Sequence, residues 1–120
     1  MTNSDGWKSM ILGSQLVLGL VLLLTPWLVG FTAEAVAAWS AWITGGVIAL
    51  VAAAALAGYA YVGSWANLVL GVWSFAAPWI LGFAALAGAL WSHVAIGVLV
   101  ALAAATELWM EHQSPPRVHA

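Results

Sequence analysis

The sequence predicts an all-α membrane protein whose four transmembrane helices form two tandem helical hairpins of the same orientation. Hydrophobic residues make up 65% of the chain and charged residues only 5%. The 72 residues from Ala35 to Thr106 contain no Asp, Glu, Lys or Arg, whereas one crossing needs about 20 apolar residues. That tract is long enough for three crossings, and the uncharged run from Met10 to Phe31 adds a fourth. An even number of crossings leaves both termini on one side.

Hydropathy and tryptophan spacing set the expected boundaries. We predict helices near residues 8–31, 36–57, 64–83 and 88–110. The predicted organisation is an N-terminal tail (1–7), a first two-helix repeat (8–57), a linker (58–63), a second two-helix repeat (64–110) and a flexible C-terminal tail (111–120). Trp7 and Trp27 are 20 residues apart, and Trp91 and Trp109 are 18 apart. Both spacings match the thickness of a bilayer core, because tryptophan favours the two interfaces.

An internal repeat underlies the prediction of two hairpins. The stretch TPWLVGF at 25–31 returns as APWILGF at 77–83, and at this offset of 52 residues 18 of 38 positions between 16–53 and 68–105 are identical. The less common matching residues include Gly19 and Gly71, Trp39 and Trp91, Ser40 and Ser92, and Gly45 and Gly97. Each copy holds two crossings, so both copies enter the bilayer in the same sense, related by a pseudo-two-fold axis along the membrane normal.

These motifs resemble the SPW repeat family, small prokaryotic membrane proteins built from two-helix repeats. Each copy has a helix that ends in PW-x-x-GF, followed by a helix that opens with WS, and the resemblance covers roughly residues 7 to 109. Carried over to this chain, the signature positions are Pro26, Trp27, Gly30, Phe31, Pro78, Trp79, Gly82 and Phe83. Thr25 and Ala77 stand where the family has serine. The resemblance implies the fold and a membrane location, and no particular activity.

The PW-x-x-GF motif is interpreted as a helix terminator with an interfacial anchor, and a ligand site there is the alternative. Proline has no N–H, so Pro26 leaves the carbonyl of Leu22 without its helical donor, and Pro78 does the same to Ser74. In lipid each carbonyl needs another partner. The Thr25 or Ser74 hydroxyl, a neighbouring helix or interfacial water would serve.

Small residues at every fourth position mark the second helix of each copy as a packing face. They are Ala37, Ala41, Gly45, Ala49 and Ala53 in the first copy, and Ala89, Gly97, Ala101 and Ala105 in the second. Small residues let helix backbones approach closely in a bilayer. The neighbour is expected within the chain or in an oligomer. Gln15 and Asn67 also coincide at the offset of 52, so the two amides are expected to hydrogen-bond across the pseudo-axis.

His93 interrupts the second stripe, and two interpretations remain open for it. The favoured one is a histidine near the interface that hydrogen-bonds to water or a carbonyl. The alternative is a ligand to a tetrapyrrole, because Ala89 one turn earlier would leave room for a flat ring. No other cofactor is indicated. Glu107 is expected just inside the headgroup region, where a carboxylate gains from a hydrogen-bonding partner.

The predicted function is that of a non-catalytic membrane protein, because no phosphate loop, triad or metal-ligand cluster is present. We expect an accessory subunit of a larger membrane complex or a homo-oligomer, in contact with lipid and membrane-protein subunits and not with nucleic acid. A pigment- or haem-binding subunit using His93 is one alternative. A small transporter or channel is the other, and it would need a polar path along Gln15, Asn67, Thr44, Ser74 and Ser92.

The expected location is the inner membrane of a prokaryote, with both termini in the cytoplasm. Lys8 and Arg117, the two basic residues, lie in the terminal segments, and basic residues favour the cytoplasmic side.

Overall fold

The computed structural model describes residues 3–113, with side-chain surroundings for 6–59 and 61–110. Every regular element in these ranges is helical. The four helices are α1 (Asn3–Thr25), α2 (Ala35–Ala54), α3 (Ala60–Ile80) and α4 (Ala87–Gln113). The molecule is elongated, with principal extents of 52 × 21 × 17 Å, and α1 packs mainly on α2 and α3 mainly on α4. An all-helical chain with four long helices is as the sequence predicts.

Helix boundaries differ from expectation at two places. α1 begins at Asn3 rather than near residue 8. The expected linker 58–63 is almost entirely helical. A π-helical turn (Ala55–Tyr59) extends α2, and α3 starts at Ala60. The chain changes direction at Gly58, with φ of 130°, and at Tyr59, with φ of −108° and ψ of 43°. The positive φ at this point favours glycine. Residues 114–120 of the expected C-terminal tail lie outside the described part.

The two PW-x-x-GF motifs end their helices in the same way. The N–H of Phe31 donates to the carbonyl of Pro26 at 2.9 Å, and the N–H of Phe83 to that of Pro78 at 2.8 Å. This six-residue closure requires a left-handed residue just before the phenylalanine. Gly30 and Gly82 supply it, with φ of 94° and 85°. Both phenylalanine side chains are then buried under the turn.

Glycines also set how closely the helices of each pair approach. A Cβ added to Gly19 would lie 2.6 Å from the backbone N of Ala49, and one added to Gly45 would lie 2.5 Å from the carbonyl oxygen of Gly19. The contacts of Gly71 and Gly97 in α3 and α4 are equivalent, at 2.6 Å each. Backbone touches backbone at both crossings, so no side chain fits there.

Three helical segments are long and apolar enough to cross a membrane: Gly6–Gly30, Ala35–Tyr59 and Ala87–Met110. α3, the remaining predicted crossing, is not among the segments found in the described residues. Its 21 residues include Ser64, Asn67 and Ser74, and these polar side chains lower its average apolar character.

Candidate functional site

Polar side chains collect at two places inside the four-helix core. The first, which we name the terminal cluster, consists of Gln15, Ser64, Asn67 and Glu107 and lies toward the chain termini. The second, the loop cluster, consists of Ser40, Ser74 and His93 and lies toward the loops that join α1 to α2 and α3 to α4. All seven side chains are buried. In an apolar core such groups need partners, and hydrogen bonds join the side chains of each cluster.

The terminal cluster joins three helices through hydrogen bonds. Asn67 on α3 donates from Nδ2 to Gln15 Oε1 on α1 at 2.6 Å. Gln15 donates in turn from Nε2 to Glu107 Oε1 on α4 at 3.2 Å, and the Ser64 hydroxyl donates to the same oxygen at 2.7 Å. The two amides paired from the repeat offset are thus brought together. The structure adds Ser64 and Glu107, which the repeat does not predict, because neither matches a polar residue in the first copy.

In the loop cluster, hydrogen bonds hold both ring nitrogens and the backbone carbonyl of His93. Its Nδ1 lies 2.9 Å from the carbonyl of Ala89, and because a carbonyl only accepts, Nδ1 carries the proton. In the neutral ring Nε2 then accepts from the Ser40 hydroxyl, 3.0 Å away on α2. Ser74 donates to the backbone carbonyl of His93 at 2.8 Å. These bonds tie α2 and α3 to α4.

This geometry does not support a tetrapyrrole at His93. The side chain has 0% exposure, and the ring of Phe83 stands against it edge-on with centroids 4.8 Å apart. Both ring nitrogens already have partners. Axial ligation would break the bond to Ser40 and would require the helices to separate.

Among the residues whose side chains the structure describes, the remaining polar ones form no path between the clusters. Trp73 donates from Nε1 to Thr44 Oγ1 at 3.2 Å, and Ser92 donates to the carbonyl of Gly88 in its own helix. On α4 the buried positions between His93 and Glu107 carry no polar side chain: Ile96, Gly97, Val100 and Ala104. Ile96 and Val100 belong to an apolar layer of the core that also contains Leu22 and Ile48. Fourteen residues of helix, about 21 Å, separate the two titratable side chains.

The small-residue stripes face inward for most of their length. Ala37, Ala41, Gly45 and Ala49 are buried on α2, as are Ala89 and Gly97 on α4. Ala101 is half-buried, and Ala53 and Ala105 are exposed. The close contacts of Gly45 and Gly97 are with α1 and α3 of the same chain. The stripes therefore serve mainly the packing of each helix pair.

In the first copy, Pro26 leaves the carbonyl of Leu22 without its helical donor, and the Thr25 hydroxyl replaces that donor, as expected from the sequence. Thr25 Oγ1 donates to the carbonyl of Leu22 at 2.6 Å. Ser74, in the second copy, uses its hydroxyl on His93 of α4 instead. The anchors Trp27 and Trp79 are 59% and 55% exposed, as suits side chains at a membrane interface.

Comparison with known proteins agrees with this architecture. The family model of the SPW repeat domain matches residues 7–107. The chain belongs to the SPW repeat family. No curated protein and no solved structure matches the chain. Membership in the SPW repeat family and three span-length apolar helices together indicate a multi-pass membrane protein.

Proposed function

We propose that the protein crosses the membrane four times, as two tandem hairpins of the same orientation, with both termini in the cytoplasm of a prokaryote. α3 has 21 residues, or about 31 Å of helix, which equals the thickness of a bilayer core. Its polar side chains Ser64, Asn67 and Ser74 are at most 3% exposed. The large side chains that α3 exposes are apolar or aromatic, and they include Val62, Val69, Val72 and Phe75. A lipid-facing surface of this kind supports the fourth crossing despite the polar residues.

Within that membrane we propose a non-catalytic role as an accessory subunit of a larger membrane complex. One observation carries the proposal: the polar side chains of the two clusters are buried in the core and joined by hydrogen bonds, and large apolar side chains cover the outside. An outer surface of valine, leucine and tryptophan suits lipid and the helices of other subunits. The apolar layer between the two clusters gives no support to a polar conduction path.

The test is the mass and composition of the particle that carries the tagged chain after mild detergent extraction from its native membrane. We expect other subunits in fixed stoichiometry. Recovery of a homo-oligomer without other subunits would refute the accessory-subunit role and support self-association instead. Recovery of a monomer would refute both roles.

Photo-crosslinking checks whether such subunits touch the outer surface. A photoreactive residue at Val98 on α4, which is 38% exposed, should give crosslinks to another chain. Val100 on the same helix is 0% exposed and is the matched control, because its neighbours are all internal. Equal crosslinking from both positions would show that the contact is not specific.

A further inference from the structure

The buried hydroxyl of Thr44 has a donor but no acceptor. Several other hydroxyl groups donate to a backbone carbonyl three or four residues earlier in the same helix, at 2.6 or 2.7 Å: Ser14, Thr25, Ser92 and Thr106. The Thr44 oxygen instead accepts from Trp73 Nε1 of α3 at 3.2 Å, and among the described residues no acceptor takes the Thr44 proton. The side chain is 4% exposed, so this proton needs a partner from outside the chain.

Thr44 lies at the inner end of a groove between α2 and α3. The groove has a volume of about 400 Å³, within the range of small-molecule sites. It runs from Ala35, the first residue of α2, to Thr44, which is nine residues or about 13 Å of helix further on. The lining side chains also include Trp39, Ser40 and Ile43 of α2, and Trp73 and Leu81 of α3. Trp39 and Ile43 are exposed, so the groove opens toward the lipid.

The internal repeat shows that helix packing does not require this hydroxyl. At the offset of 52, Thr44 corresponds to Ile96 and Trp73 corresponds to Val21. The equivalent place between α4 and α1 therefore has an apolar pair, and Ile96 belongs to the buried core there. The Trp73–Thr44 hydrogen bond occurs on one side of the molecule only, and the packing of the two repeats gives no reason for it.

The depth of Thr44 indicates which molecules could accept its proton. A phospholipid carries its polar atoms in the headgroup region, whereas Thr44 lies about 13 Å beyond the start of α2. An acyl chain in the groove would leave the proton without an acceptor. A ring that dissolves in hydrocarbon and bears a carbonyl oxygen would accept it. The indole groups of Trp39 and Trp73, one on each helix, suit a flat ring because aromatic rings pack well against one another.

We propose that the groove between α2 and α3 binds a quinone. One ring carbonyl accepts the hydrogen bond from Thr44, and the apolar tail leaves the groove past Ile43 into the lipid. The bond from Trp73 Nε1 fixes the Thr44 oxygen and leaves its proton for the ligand. Ser40, the other hydroxyl in the groove, gives its proton to His93 Nε2. Thr44 is therefore the hydroxyl that can donate to a carbonyl there.

Binding of tritiated decylubiquinone, a benzoquinone on an alkyl chain, tests the proposal. The purified full-length chain is placed in nanodiscs, and bound quinone is counted by scintillation proximity. We expect saturable binding at about one quinone per chain, with a rise in melting temperature over the same concentrations. Unlabelled decylbenzene, which has the same alkyl chain and no carbonyl, should not compete.

Variants of Thr44 test the hydrogen bond itself. Thr44→Val keeps the shape of the side chain and removes its proton, so the dissociation constant should rise about three- to tenfold. Thr44→Ser keeps a hydroxyl and should bind as the wild type does. Thr106→Val is the matched control, because the hydroxyl that it removes bonds within its own helix, and it should leave binding unchanged.

A second pair of variants leaves Thr44 in place, so the test does not depend on the folding of Thr44→Val. Ile43→Trp fills the mouth of the groove from a side chain that is 59% exposed, and it should abolish binding without disturbing the core. Leu24→Trp adds the same ring at an exposed position on α1, outside the groove, and should bind as the wild type does.

The proposal would be overturned if the wild type showed no saturable binding, or if Thr44→Val bound the quinone with unchanged affinity. It would also be overturned if decylbenzene competed as well as unlabelled quinone, since the groove would then hold only hydrocarbon chains. The inference rests on α2 and α3 both lying in the membrane and does not need the accessory-subunit role. Failure of quinone binding would leave that role, and its test by detergent extraction, unaffected.

Discussion

Gln15 and Asn67 occupy equivalent positions in the two repeats, 52 residues apart, and they share a hydrogen bond of 2.6 Å inside the core. Two equivalent residues that touch must lie beside the axis that relates the copies. The bond therefore joins the two halves of the molecule beside that axis, toward the chain termini. Around it the halves differ, because Ser64, Ser74, His93 and Glu107 all belong to the second copy, where the first has apolar residues.

Removing both amides of this pair should destabilise the fold by less than the sum of the two single losses. Asn67→Leu leaves Gln15 Oε1 buried without its donor, which costs about 1 to 3 kcal/mol. Gln15→Leu should cost a similar amount, since it removes the partners of both Asn67 and Glu107. In Gln15→Leu/Asn67→Leu the coupling should be about 0.6 to 2 kcal/mol. Unfolding of the four proteins in detergent measures it, and strictly additive losses would contradict the role of the bond.

Gly45 and Gly46 provide a matched test of the helix crossing. Gly45→Ala places a Cβ 2.5 Å from the backbone of α1, so the helices must separate, and we expect a loss of about 1 to 3 kcal/mol. Gly46→Ala meets only the Leu23 side chain at 3.5 Å and should be neutral or stabilising, because alanine favours helix by up to about 1 kcal/mol. The free energy of unfolding of each variant measures the two effects, and equal losses in Gly45→Ala and Gly46→Ala would refute the close crossing of the helices.

The left-handed glycines of the two turns should resist substitution although they have room for a side chain. Gly30→Ala and Gly82→Ala meet no atom within 4 Å, yet φ there is 94° and 85°. We expect each to cost about 1 to 2 kcal/mol from backbone strain alone. Gly13→Ala, also in open space but within α1, is the control and should be neutral or better. Thermal unfolding of the three variants measures the difference.

The Thr25 hydroxyl should matter because Pro26 cannot supply a backbone donor. Thr25→Val removes the hydroxyl that donates to the Leu22 carbonyl in place of the missing Pro26 N–H, and we expect a loss of about 1 to 3 kcal/mol. Thr106 makes a similar bond of 2.7 Å to the carbonyl of Leu102, inside a regular helix that already supplies a backbone donor. Thr106→Val should therefore change stability little. Comparable losses in both variants would show that the proline position is not special.

The sequence by itself determined the presence of four helices, the two PW-x-x-GF turns and the amide pair of Gln15 and Asn67. Long uncharged tracts permit little but helices in lipid, where every backbone group must find its hydrogen bond within the segment. The PW-x-x-GF turn depends on local backbone properties, because proline removes a hydrogen-bond donor and glycine permits a left-handed conformation. The turn can therefore be predicted without knowing any tertiary contact. The repeat linked Gln15 to Asn67 because equivalent residues near a two-fold axis meet.

Only the tertiary structure decided what Ser64, His93 and Glu107 contact. These residues break the repeat, so symmetry gives no partner for them, and each makes a side-chain hydrogen bond to another helix, 43 residues or more away in sequence. The tertiary structure likewise decided that most of the small-residue stripes face inward and that the His93 side chain is fully buried. A sequence pattern names the face of a helix, but which neighbour covers that face depends on how four helices pack together.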